Sequence, residues 1–137
     1  MSQENVEIVR RVYDAAARRD SAAVLALYDP EVVLDNSRLP IGTLMGGGIY
    51  RGHEGLRSFF REWHESWENI EYDYEELIDA PGEHVIAVVT RRGRGRASGA
   101  EVEVPLALVW TLSEGKVVRV VWYPSTEEAR QAVGLGN

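Results

Sequence analysis

The chain contains no cysteine in 137 residues. That excludes disulfides, thiolate metal sites and a cysteine nucleophile. Positive charge is also short: 15 Lys and Arg stand against 22 Asp and Glu, a formal net charge of -7. Nucleic acid is not an expected partner, because phosphate binding needs a basic face. No apolar run approaches the roughly 20 residues that span a bilayer, so no membrane partner is expected. Residues 1–5 are polar and lack the basic and apolar regions of a secretory signal, so the expected location is cytoplasmic. The three histidines, His53, His64 and His84, include no His-x-x-x-His pair. That spacing gives no metal signal, and neither metal nor cofactor is expected.

What is present describes one folded domain. Hydrophobic residues make up 45%, too many for a disordered chain, and a chain of this size buries roughly two-thirds of its unfolded surface. Val6, Val9, Val12, Tyr13, Ala16 and Ala17 share one face of a 3.6-residue period, with Glu7, Arg10, Arg11, Asp14 and Arg18 opposite. Asp20 or Ser21 can cap a second, shorter helix that turns Val24, Leu27 and Tyr28 inward. Asp29-Pro30 stops it, and residues 31–36 read as a short strand.

Residues 37–51 form a long connection with a Gly46-Gly47-Gly48 run. A phosphate loop is excluded: no Lys-Ser/Thr follows, and Leu39, Ile41, Leu44, Met45 and Ile49 make the loop apolar. Long loops in small domains are often functional, which makes this one a candidate lid. A third helix over 53–67 carries Leu56, Phe59, Phe60, Trp63 and Trp67 on one stripe. Residues 70–75 alternate with period two, and Glu75-Glu76 breaks the alternation, which suggests a bulge. Turns at 80–83, 97–100 and 113–116 separate strands at 85–96, 101–112 and 117–123, a meander. Ser125-Thr126-Glu127-Glu128 is a capping box that opens a last short helix, closed by Gly134.

The stretch Tyr50-Arg51-Gly52-His53-Glu54-Gly55-Leu56-Arg57-Ser58-Phe59-Phe60 is a glycine opening an aromatic-rich helix. Two helices and a strand precede it; four strands and a capped helix follow. That order, from about Glu4 to Gly134, resembles the nuclear-transport-factor-2-like superfamily, and within it the SnoaL-like (polyketide-cyclase-like) group. Residues 1–137 are thus read as a single SnoaL-like domain. The resemblance implies a cone-shaped α+β barrel: a curved antiparallel sheet with helices packed on its concave face and an apolar pocket left in the cone. Members of the group include isomerases, cyclases, dehydratases and epoxide hydrolases.

The candidate site residues follow from both lines. Tyr13, Phe59, Trp63, Trp110 and Trp122 are aromatics on several elements that face one sheet, and they are the expected pocket lining. Tyr123 is a further expected wall and Asn36 a further contact. Asp35 and Asn36 end the first strand. A carboxylate among apolar walls has a raised pKa and suits proton transfer from a carbon acid. The resemblance implies that the ketosteroid isomerases take their general base from this segment and an oxyanion-binding tyrosine from the place of Tyr13. An ungapped alignment from Tyr28 puts Asn36 at the base position, with Asp35 one residue before. Period two lets only one of them face inward; with Asn36 inward, the base is missing. His64, at the margin of the aromatic stripe, is a second acid/base candidate. His53 reads as structural and His84 as solvated. Arg92, Arg94 and Arg96 oppose Glu101 and Glu103 across a turn, either as a solvated outer face or as a charged pocket rim.

The penultimate strand segment Leu106-Ala107-Leu108-Val109-Trp110 and the last, Val120-Val121-Trp122-Tyr123-Pro124, hold no acid. The catalytic acids that the resemblance implies there are absent. Two readings stand. In one, a SnoaL-like domain binds a hydrophobic small molecule without reaction. In the other, a cofactor-independent enzyme of isomerase, cyclase or dehydratase type uses Asp35 as base, Tyr13 as donor and His64 as second acid/base. A homodimer through the outer sheet face is expected: the resemblance implies it, and the 102–109 strand is apolar at both parities.

Overall fold

The aromatic stripes and the period-two segments meet across one sheet. A computed structural model describes residues 2–39 and 48–135. The elements are α1 (Ser2–Ala17), α2 (Ser21–Leu27), β1 (Tyr28–Asp35), β2 (Ile49–Arg51), α3 (Gly52–Ser66), β3 (Trp67–Ala80), β4 (His84–Gly95), β5 (Glu101–Ser113), β6 (Lys116–Tyr123) and α4 (Thr126–Ala132). The sheet order is β2-β1-β6-β5-β4-β3. Strands β3 to β6 form the expected meander. The first strand returns beside the last, and β1–β6 is a parallel pair in an otherwise antiparallel sheet. The architecture is the curled α+β half-barrel that the sequence implies.

Alternation along each strand sorts residues onto two faces. The inner core gathers Val9, Tyr13, Leu34, Phe59, Trp63, Leu108, Trp110 and Trp122 under α1, α2 and α3. A second cluster, Ile86, Ala107, Val109, Val121 and Tyr123, lies on the outer face and packs against Ala129 of α4. The outer-parity residues of β5, Ala107 and Val109, part of the expected dimer surface, are therefore packed against the chain's own last helix. Next to them the outer face is charged. Arg92 pairs with Asp73 and with Glu103 at 2.7 Å, and Arg94 with Glu101 at 2.9 Å. All of these groups are exposed, so the arginine–glutamate ladder is a solvated face, with Asp73 at its margin.

Differences from expectation have local causes. Strand β1 begins at Tyr28, and Pro30 lies inside it. Its pairing with β6 breaks between Tyr28 and Val33, where proline offers no N–H to the ladder. The bulge expected at Glu75-Glu76 is present as a register shift between Tyr74 and Glu76. The proposed lid falls largely on residues 40–47, which lie outside the described residues. The end of that connection, residues 49–51, forms β2 against β1.

The glycines of the 50–60 motif have steric reasons. Gly52 opens α3 at φ +71, and a Cβ there would stand 3.2 Å from the Pro30 carbonyl oxygen. At Gly55 a Cβ would meet the Tyr50 backbone at 3.0 Å. Gly52→Ala should therefore cost about 1–2 kcal/mol, the left-handed penalty plus the crowding. Gly115→Ala, at φ +80 in open space, should cost only the backbone part, about 1 kcal/mol. Urea midpoints compare the two; equal costs would show that the Pro30 contact yields freely.

Candidate functional site

The ends of α1 and α3 converge on the start of β3. Helix α1 closes with two bonds: Arg19 N–H to the Ala16 carbonyl and Asp20 N–H to the Ala15 carbonyl, both 3.0 Å. This 5→2, 6→1 pair is a Schellman cap. Its left-handed residue is Arg19, at φ 58. The Asp20 carboxylate then accepts from Ala23 N–H at 3.1 Å and caps α2. Helix α3 runs into β3 without a loop. Arg96 ties down the junction: its Nε donates to the His64 carbonyl at 2.6 Å and its N–H to the Ser66 carbonyl at 3.0 Å.

Between these ends lies a cavity of ≈ 580 Å³, within the usual range of roughly 300–1,000 Å³ for small-molecule sites. Buried or half-buried Tyr13, Val24, Phe60, Trp63 and Ile70 form its apolar wall. Exposed Arg19, Asp20, Arg61, His64, Glu71 and Asp73 stand around its opening. The Trp63 ring also carries the guanidinium of Arg91, 3.6 Å from its centroid, and Arg91 is only 3% exposed. A cation over an indole face is attracted by the ring quadrupole. Among the described residues there is no cluster of three His, Cys, Asp or Glu able to hold a metal.

Of the expected lining, Tyr13 and Trp63 reach this cavity, and so does His64. Phe59, Trp110 and Trp122 do not, which corrects the expected position of the pocket. They fill the centre of the cone: Phe59 to Trp122 is 5.5 Å between ring centroids and Tyr13 to Trp110 is 5.5 Å. The space left open is displaced toward the α1–α2 turn. Tyr123 is also corrected. It lies one residue past inward-facing Trp122, belongs to the outer cluster, and has Arg38 over its ring at 5.4 Å.

Period two separates Asp35 from Asn36 as expected. Asp35 pairs with outward-facing Val121. Its carboxylate accepts from Ser37 Oγ at 2.5 Å and Ser37 N–H at 2.9 Å, and forms an ion pair with Arg119 at 3.5 Å. Burial pushes its pKa up, but the Ser37 bonds and the charges of Arg119 and Arg38 outweigh it, and the net shift is downward. A general base needs the opposite shift and a place at the cavity; Asp35 has neither. Asn36 has the parity of Val32 and Leu34 and is buried. Its side-chain carbonyl accepts from Gly48 N–H at 2.6 Å. It orders the chain beside β2 and does not line the cavity.

The other histidines are accounted for. His53 Nε2 donates to the Tyr28 carbonyl at 2.9 Å, a structural tie. His84, expected in solvent, is half-buried, with Nδ1 3.0 Å from Thr111 Oγ1, and burial lowers its pKa. Sequence reasoning missed Arg19, Phe60, Arg61, Ile70 and Glu71. The available signals were Arg18-Arg19-Asp20 between two helices and the absence of any turn residue between α3 and β3.

Residues 9–120 match the family model of the SnoaL-like domain. The chain belongs to the SnoaL-like family. Solved structures agree with that placement. An NTF2-like protein of unknown function from Burkholderia pseudomallei is 26% identical with a TM-score of 0.76, over 96% of this chain and 98% of that one. An NTF2-like protein from Burkholderia thailandensis is 29% identical with a TM-score of 0.74, over 93% and 95%. TerC, crystallised with polyporic acid, shares the fold at 22% identity and a TM-score of 0.74, over 95% and 97%. No curated protein matches the sequence.

The Asp35 cluster makes a pH prediction. Its folded-state pKa lies below the ordinary carboxylate value, so its contribution to stability is present above that ordinary value. It is lost as pH falls through the depressed pKa. Asp35→Asn should lower stability by about 1 kcal/mol at neutral pH and flatten the loss below about pH 4. Denaturant titrations from pH 2 to 7 measure it; an unchanged acid limb would mean the carboxylate is not held as described.

Proposed function

We propose that this SnoaL-like domain binds a small, largely apolar molecule in the cavity between α1, α3 and β3. The observation that carries the proposal is a ≈ 580 Å³ space walled by Tyr13, Phe60 and Trp63. Its apolar wall suits a ligand site, and its polar groups are gathered at the opening. The crystallisation of TerC with polyporic acid supports a small molecule as the occupant of this fold. No described helix is long and apolar enough to cross a membrane, and the proposed place of action is the cytoplasm.

An enzyme reading rests on a specific observation: Tyr13 and His64 line the same cavity. There, the Tyr13 hydroxyl would donate to a ligand carbonyl, and His64, exposed at the same opening, would move a proton. Asp35 has no part in this version. The homodimer is a proposal as well. Because α4 covers the apolar outer cluster, the partner would have to meet the remaining outer face, around Val88, Pro105 and the arginine–glutamate ladder. Light scattering at micromolar concentration decides between a single 15.4 kDa chain and about twice that mass.

Thermal-shift screening with planar apolar compounds tests the binding reading. A ligand at 100 times its Kd should add about 2.7 kcal/mol of stability. Phe60→Ala should weaken a hit about tenfold by removing wall area, and Asp35→Asn should leave its affinity unchanged. Binding that depends on Asp35 and not on Phe60 would place the site elsewhere.

A further inference from the structure

The charges at the cavity opening are unequally committed. Asp20 is engaged as the α2 cap and Asp73 by Arg92. Arg19, Arg61 and Glu71 remain, and among the described residues none of the three is in an ion pair. Arg61 donates to the Ser58 hydroxyl at 3.3 Å. Two guanidinium groups and one carboxylate at the opening are thus outside any ion pair among the described residues, beside the capping carboxylate of Asp20 and the Arg92-bound Asp73. A second observation concerns Arg19 itself. It occupies the left-handed position of the Schellman cap at φ 58, where glycine carries no steric penalty. An arginine is held in a conformation that disfavours it, with its side chain lining the cavity. Third, the Arg91 guanidinium is buried and lies on the Trp63 ring, within the aromatic wall.

We infer that the cavity selects a planar, negatively charged ligand, an aryl carboxylate or a phenolate, whose rings lie along Tyr13, Phe60 and Trp63 and whose anionic group is held by Arg19 and Arg61. This rests on the cavity being the binding site. Glu71 is left to accept a hydrogen bond from a ligand hydroxyl.

The test compares 1-naphthoate, neutral 1-naphthamide and cationic 1-naphthylmethylammonium by calorimetry in low salt. Proteins are wild type, Arg61→Gln, Arg19→Gln and Arg19→Gly. Wild type should bind naphthoate about tenfold more tightly than the amide, the worth of one to two charged hydrogen bonds at an exposed opening, and the cation most weakly. Each arginine variant should lose most of that preference and keep its affinity for the amide. Arg19→Gly should in addition melt about 2–5 °C higher than wild type, while Arg19→Gln should not. Equal binding of naphthoate and amide by wild type, or preference for the cation, overturns the inference and leaves the apolar cavity standing. Binding of none of the three sinks the cavity reading itself. Loss of amide binding in the arginine variants would mean that they shape the wall and do not select charge. A lower melting point for Arg19→Gly would remove the strain argument.

Discussion

The space inside a curled sheet is decided by the aromatic rings that compete for it. Tyr13 of α1 packs on Tyr74 at 5.2 Å and on Trp110 at 5.5 Å, and Tyr28 meets the other side of Trp110 at 6.2 Å. Phe59 of α3 sits between Trp63 at 5.7 Å and Trp122 at 5.5 Å. These rings come from four strands and two helices. Interiors pack like molecular crystals, so a middle filled by rings leaves no room for a ligand there. The cavity opens where the rings run out, at the turn between α1 and α2, and the two helix ends become its frame. The location of the site is thus a residue of core packing.

Much of the fold could be read from periodicity because burial is one-sided on every element. The stripe Leu56, Phe59, Trp63 points α3 at the sheet, and the alternation in β3 to β6 turns Trp110 and Trp122 inward. The same rule divided neighbours correctly in kind: Asp35 and Asn36 fall on opposite faces. It could not say which is which, since a one-residue slip exchanges the faces. The register with β6, Leu34 beside Val120 and Asp35 beside Val121, is a long-range pairing that no local pattern contains. Tyr123 was misplaced for the same reason. Strand β2 was hidden because three residues are too few to show a period.

The cavity was less legible than the fold. Its walls depend on volumes: whether Phe59 and Trp110 leave a gap is a matter of rotamers and helix placement, and composition is silent about both. Its opening depends on helix ends. The Arg18-Arg19-Asp20 turn looks polar and unremarkable as a string; only the 5→2 and 6→1 bonds reveal that Arg19 holds a position suited to glycine. Sequence reasoning searched instead for catalytic acids on the sheet, because acids are visible as letters, and the acid it found belongs to a surface cluster with Ser37 and Arg119.

Net charge and local charge also part company here. The surplus of carboxylates weighs against phosphate binding at the scale of the whole surface, since that requires a continuous basic face. It does not set the field inside one opening a few residues wide. Many of the acids near β3 are already engaged: Asp73 with Arg92, Glu75 with the Thr90 hydroxyl at 3.1 Å, Glu101 and Glu103 with Arg94 and Arg92. These contacts draw negative charge to the outer face of the sheet. The guanidinium of Arg91, on the inner parity of the same strand as Arg92 and Arg94, is withdrawn from that face and buried against Trp63. One strand thus sends alternate arginines to opposite sides, Arg92 and Arg94 to acids outside and Arg91 to the Trp63 indole inside. The pleat that sorts apolar from polar residues thereby also sorts the arginines of one strand.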